Sequence, residues 1–278
     1  MTSEQRPGPG YRRRPTSGRG GGVADRSLPA ADSALLREHT GIVWNASTIE
    51  WDRLTTTTPE RARFRFRASL PDLVWNAAAL EGNTFTLPEV RTLLEGVTVG
   101  GKPLADEEQV LALSQAYSDL DQLVGRSAFS LRKDVSDALH CTVAAKEAIE
   151  SGHFRGEGSV VGGGSVRLAN GGFVAGVEHG VDGRALIDRF DSLVRFLETL
   201  PDPRERAVAY FAAATRSQFY FDGNKRTARL MMTGVLMSAG IDAVNIPYSR
   251  RLEFNRSLDE LFESDDATSL MRFIVDCA

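Results

Sequence analysis

The stretch Gln218-Phe219-Tyr220-Phe221-Asp222-Gly223-Asn224-Lys225-Arg226-Thr227-Ala228-Arg229 concentrates the residue types that handle phosphate. It follows one helical pattern and opens another. Asp222-Gly223-Asn224 is turn chemistry, because Gly tolerates positive φ and Asp or Asn can cap the helix that follows. The first amides of that helix point into the loop and form an anion nest. Lys225 and Arg226 add positive charge, and Arg229, three residues beyond Arg226, can face the same way. Asp222 supplies a carboxylate able to hold Mg²⁺ against a phosphate. An anion nest, two arginines and a carboxylate beside one helix start make a nucleotide site; a basic helix start facing solvent is the plainer alternative.

The elements that must position this loop are mostly helical from Ser33 onward. Ser69-Leu70-Pro71-Asp72, Thr86-Leu87-Pro88-Glu89 and Asp202-Pro203-Arg204-Glu205 each place a cap before an early Pro and an acid. Apolar spacing of three and four predicts longer helices over about 106–124, 135–150 and 184–200, then over about 225–239, 250–263 and 267–276. Two segments break the pattern. Residues 61–66 alternate Arg with Ala and Phe, which fits either a strand or the lead-in to the next helix. Residues 160–174 set short β-prone stretches around Gly-rich turns, with Asn170-Gly171 as a hairpin signal. The expected fold class is all-α, a helical bundle carrying one β-hairpin.

Composition narrows the class. The chain has 278 residues, 42% hydrophobic and 25% charged, with a net charge of −4. No apolar run approaches the roughly 18 residues that span a bilayer. The basic N-terminus lacks an apolar h-region, so a secretory signal is not expected. Cys141 and Cys277 offer no disulfide framework and no His/Cys metal cluster. A cytoplasmic protein without membrane partners is expected. The acidic balance argues against a nucleic-acid binder. Residues 1–33 are rich in Arg, Gly and Pro, and are expected to form a disordered tail. Residues 34–125 are read as an N-terminal helical region and 126–278 as the core.

The loop resembles the signature H-x-F-x-[D/E]-G-N-[G/K]-R-x-x-R of the Fic (filamentation-induced-by-cAMP, Fido) family, with Asp222, Gly223, Asn224, Lys225, Arg226 and Arg229 in register. Gly152-His153-Phe154-Arg155 is similar to the family's G-x-[F/Y]-R step, and residues 160–174 to its flap, which aligns a target peptide by strand addition. Leu80-Glu81-Gly82-Asn83 resembles the inhibitory motif of members whose inhibitory helix, here about 70–82, precedes the core. The resemblance covers roughly residues 69–278. It implies a protein adenylyltransferase that moves AMP from Mg·ATP to a protein hydroxyl. Asp222 would hold Mg²⁺, and Gly223, Asn224 and Lys225 would meet the phosphates. Arg226 would stabilise the reacting phosphorus, and Arg229 would grip the γ-phosphate until Glu81 pairs with it. Related proteins often dimerise, so a homodimer is an expectation. The helix reading supports the brake independently, since a carboxylate in a last helical turn is disfavoured by roughly 0.3–1 kcal/mol and invites a cation.

Three positions depart from the pattern. The family's Ser/Thr four residues before the inhibitory Glu is Ala77. Lys225 also occurs in Doc-type toxins, which bind the nucleotide reversed and act as kinases. Above all, the histidine that serves as general base is Gln218, whose amide can orient a hydroxyl but accepts no proton near neutrality. Losing a positioned base costs about 10²–10⁴ in rate, which implies either a weak transferase or a catalytically silent ATP-binding protein. Of the four histidines, His140 reads as structural and His39 precedes the core, while His153 and His179 flank the hairpin as candidate substitute bases.

Overall fold

The computed structural model describes residues 30–278, with side chains from Asp32 onward. Residues 1–29, most of the expected tail, lie outside the described residues; helix α1 (Ala30–Thr40) begins inside the last four tail positions. Among the described residues are eleven α-helices and one two-stranded antiparallel hairpin, so the fold class is all-α as expected.

Two helices form the centre. In α8 (Pro203–Ser217) residues Ala207 to Ala214 are all buried, and in α9 (Asn224–Ser238) so are Arg226 to Met237. Helices buried on every side form the inside of a bundle. The alanines of α8 let the two helices pack closely, and Gly234 lets the Phe129 ring lie where a Cβ would stand. Around this pair lie α5 (Leu104–Gly125), α6 (Lys133–Val143) and α7 (Arg184–Thr199), with α10 (Arg251–Ser264) and α11 (Thr268–Asp276) on the α8 side. Helix α7 buries Leu186, Phe190, Leu193 and Leu197, the four–three–four stripe of an outer helix.

Caps explain most of the helix starts. The Asp202 carboxylate accepts from the Arg204 amide. Ahead of α4 (Leu87–Leu94), the Glu89 carboxylate accepts from the Thr86 amide at 2.7 Å and the Thr86 hydroxyl at 2.8 Å. Ser69, expected to cap α3 (Leu70–Leu80), instead closes the previous helix: its hydroxyl donates to the Arg65 carbonyl at 3.0 Å. That previous helix, α2 (Pro59–Ala68), settles the alternating stretch. Thr58 and Pro59 start it, Ala62 and Phe66 form its buried face, and Phe64 is left 67% exposed.

Two ranges are corrected. The helix expected to reach residue 150 ends at Val143, and residues 144–151 form turns. Ala144 packs beneath Gly223, and Glu147 leaves the helical path to meet Arg226. Tertiary contact overrides a good helical sequence here. The hairpin strands are β1 (Ser165–Arg167) and β2 (Phe173–Ala175), paired Ser165 to Ala175 through Arg167 to Phe173. Gly162, Gly163 and Gly164 all have positive φ, so the chain cannot extend as a strand before Ser165.

Candidate functional site

The loop between α8 and α9 is held from several sides. Helix α8 ends at Gln218, which takes a left-handed conformation at φ 53°. Its carbonyl accepts from Arg155 Nε at 2.6 Å. Arg155, itself buried, also donates to the Gly163 and Val177 carbonyls, so one guanidinium ties the loop to both legs of the hairpin. The Asn224 side chain closes the loop on itself: its oxygen accepts from the Tyr220 amide and its nitrogen donates to the Tyr220 carbonyl, both at 2.8 Å. Tyr220 stacks on His140 at 3.7 Å between ring centres. His140 accepts the Gly152 amide at Nδ1, so Nε2 carries the hydrogen and donates to the Asp222 carbonyl at 2.9 Å. Burial pushes the His140 ring down to about 4, so it stays neutral.

Gly223, at φ 70°, starts α9, with no side chain capping the helix. The first intrahelical acceptor of this turn is the Gly223 carbonyl, taken by the Thr227 amide. The amides of Asn224, Lys225 and Arg226 therefore have no acceptor within the helix. They open on a cleft of about 650 Å³ lined by Glu81, Gln218, Asp222 and Lys225, by β1, and by Leu258 and Phe262 of α10. The Asp222 side chain is 60% exposed there.

The charges of the site meet two carboxylates. Glu81 is the C-cap of α3, followed by Gly82 at φ 95°. Its Oε2 lies 3.0 Å from Lys225 Nζ. Burial pushes the Glu81 carboxyl up, but the charges of Lys225, Arg226 and Arg229 outweigh it and hold it below its ordinary value. The Arg229 guanidinium is buried against the Tyr117 hydroxyl, with no carboxylate of the described residues in ion-pair contact, and Glu81 Oε1 has no hydrogen-bond partner among them. The pairing expected from the resemblance is thus corrected. The direct ion partner of Glu81 is Lys225, because Lys225 stands in the first turn of α9 facing the end of α3, while Arg229 lies one turn deeper. Arg226 is 3% exposed and makes a two-pronged pair with Glu147, at 2.6 and 2.9 Å. Its Nη2 also lies 3.5 Å from Asp222 Oδ1.

Comparison with known proteins agrees with this architecture. The chain is 28% identical over 207 residues to the protein adenylyltransferase Fic of Drosophila erecta, and 29% identical over 209 residues to that of Drosophila ananassae. Each match covers 73% of this chain and 39% of the relative, so the chain spans about two fifths of the length of these curated relatives. A Fic domain containing signaling protein from Bacteroides thetaiotaomicron superposes with a TM-score of 0.64 at 23% identity, over 81% of this chain and 87% of that one. The Caenorhabditis elegans Fic-1 fragment superposes at 0.62 and 23% identity, over 89% and 68%. The chain is thus similar in sequence to Fic adenylyltransferases and shares the fold of Fic-domain proteins. No family model matches it.

On this framework Glu81, Gln218, Asp222, Gly223, Asn224, Lys225 and Arg226 all reach the cleft, while Arg229 lies behind it. Asn224 spends its amide on loop shape. Gln218 is committed too: Nε2 donates to the Thr215 carbonyl at 2.6 Å, and Oε1 accepts from Asn224 at 3.1 Å. Neither His153 nor His179 lines the cleft. Residue types and spacing did not single out Glu147. A buried arginine demands a carboxylate, but that demand does not say which one. Among the described residues no helix is long and apolar enough to cross a membrane.

Proposed function

We propose that the chain is a Fic-type protein adenylyltransferase restrained by Glu81 and weakened by Gln218. The observation that carries the reading is the carboxylate of Glu81 lying against Lys225 at the open amide end of α9, where a polyphosphate would sit. A triphosphate entering the cleft would meet the amides of residues 224–226, Lys225 and Arg226. The buried Arg229 guanidinium, which has no carboxylate of the described residues in ion-pair contact, would be available to the γ-phosphate where the Glu81 charge now competes for it. Asp222 presents a hard, exposed oxygen donor, and one carboxylate plus substrate phosphates suits Mg²⁺. Bound there, the ion would neutralise phosphate charge as the bond to the leaving pyrophosphate breaks.

The chain's own residues then orient and stabilise. Arg226 sits where charge would develop on the α-phosphate, and such preorganised charge carries most of the catalysis in this chemistry. The acceptor is a Ser, Thr or Tyr hydroxyl of a protein segment laid along the hairpin, whose two strands each leave an edge unpaired among the described residues. Gln218 Oε1 retains one lone pair beyond the bond from Asn224 and would accept a hydrogen bond from that hydroxyl. It takes up no proton, so the hydroxyl proton passes to water as pyrophosphate leaves, and transfer is slow.

The same tethering of Gln218 favours a second reading, an ATP-binding regulator without turnover. Lys225, the residue shared with Doc-type kinases, calls for one further control. The test incubates α-labelled ATP and cell lysate with the wild type, Glu81→Gly, Gln218→His and the double variant. The transferase reading expects faint labelling from Glu81→Gly and about 10²–10⁴ more from the double variant. Labelling confined to variants carrying Gln218→His would establish the silent regulator. Transfer of γ-label instead of α-label would establish a kinase.

A further inference from the structure

Arg226 is the most enclosed cation of the cleft and lies between two carboxylates. Glu147 engages it with both oxygens at 2.6 and 2.9 Å, while Asp222, four residues before it on the same turn, stands at 3.5 Å from Nη2. A guanidinium holding a two-pronged carboxylate has its strongest donors occupied and its plane fixed. Glu147 is itself held: Gln109 Nε2 donates to both of its oxygens at 3.3 and 3.2 Å, and Gln109 Oε1 accepts from Asn83 at 2.9 Å. Asn83 lies two residues after Glu81, so the chain of contacts begins beside the proposed brake.

Without Glu147, the nearest carboxylate to the Arg226 guanidinium is Asp222. Pairing there would neutralise the oxygen best exposed to hold a cation. We infer that Glu147 is a positioning residue: by taking both prongs of Arg226 it limits Asp222 to one long contact at Oδ1, which also accepts the Gly223 amide, and thereby keeps Asp222 Oδ2 for Mg²⁺ on the bound nucleotide. This inference rests on the ATP-binding reading above.

Calorimetric titration of ATP into the full chain, with and without saturating Mg²⁺, tests it. The variants are Glu147→Gln and Gln109→Ala, each checked for folding by circular dichroism. The wild type should bind ATP more tightly with the metal than without it. In Glu147→Gln that metal-dependent gain should shrink about tenfold, since Arg226 turns to Asp222 and metal-free ATP meets a more positive site. Gln109→Ala loosens Glu147 without removing its charge, and should shrink the gain in the same direction by a smaller factor. A gain equal to that of the wild type in every variant that folds would overturn the inference and leave the nucleotide site standing. Absence of ATP binding in the wild type and all variants would instead overturn the reading beneath it.

Discussion

His140 works through both ring nitrogens, accepting from Gly152 and donating to the Asp222 carbonyl, so its imidazole fixes where the loop turns. Its titration follows from that burial. Between its ordinary value of 6.5 and about 4, the unfolded chain binds a proton that the folded chain refuses. This contribution to stability is complete above pH 6.5 and falls away as pH drops, by about 3 kcal/mol at most. Urea unfolding of wild type and His140→Gln should therefore show a stability gap that narrows by this amount between pH 7 and pH 4. A gap independent of pH would show that the ring is not buried neutral. At this scale the sequence was informative about what the site contains and less so about who pairs with whom. Asp222, Lys225 and Arg226 could be named from types and spacing. Glu81 facing Lys225, and Glu147 clamping Arg226, depend on where α3 and the turns after α6 meet α9, and no local pattern encodes that meeting.

Elements hold the site through a few polar ties. Arg155 is the clearest: its side chain satisfies the carbonyls of Gln218, Gly163 and Val177, and its amide donates to Phe219. Replacing Arg155 by Ala would leave the buried Gln218 carbonyl without this donor, costing about 1–3 kcal/mol, and would release the part-buried carbonyls of Gly163 and Val177. The expected result is faster amide hydrogen exchange over residues 163–177 and 217–219, with α5 and α9 unchanged. Uniform loss of protection across the chain would mean that Arg155 supports the whole core rather than the hairpin and loop. Helix starts with good capping chemistry were legible, as at Thr86 and Asp202. Ser69 was not, because a serine between two helices can end one as readily as begin the next. The short α6 was hidden for a related reason: Ala144 to Glu147 is good helical sequence that gives way to contacts with Gly223 and Arg226.

The described residues form a helical bundle, in a chain of net acidic charge, and the nucleotide-sized cleft bordering the hairpin has a cationic floor. The class was readable from the run of three–four spacings and the single Gly-rich interruption. The burial of α8 and α9 on every side was not, since α8 has charged residues at both ends and α9 opens with the cations of the site. Two carboxylates from distant segments, Glu81 and Glu147, meet the cations that a triphosphate would meet. Calorimetric titration of Mg·ATP into the wild type and Glu81→Gly addresses that arrangement most directly. Removing the carboxylate should tighten binding about tenfold or more, because Lys225 is then released to the phosphates and a competing negative charge is gone. Equal affinities in the two proteins, or no binding heat in either, would contradict the account.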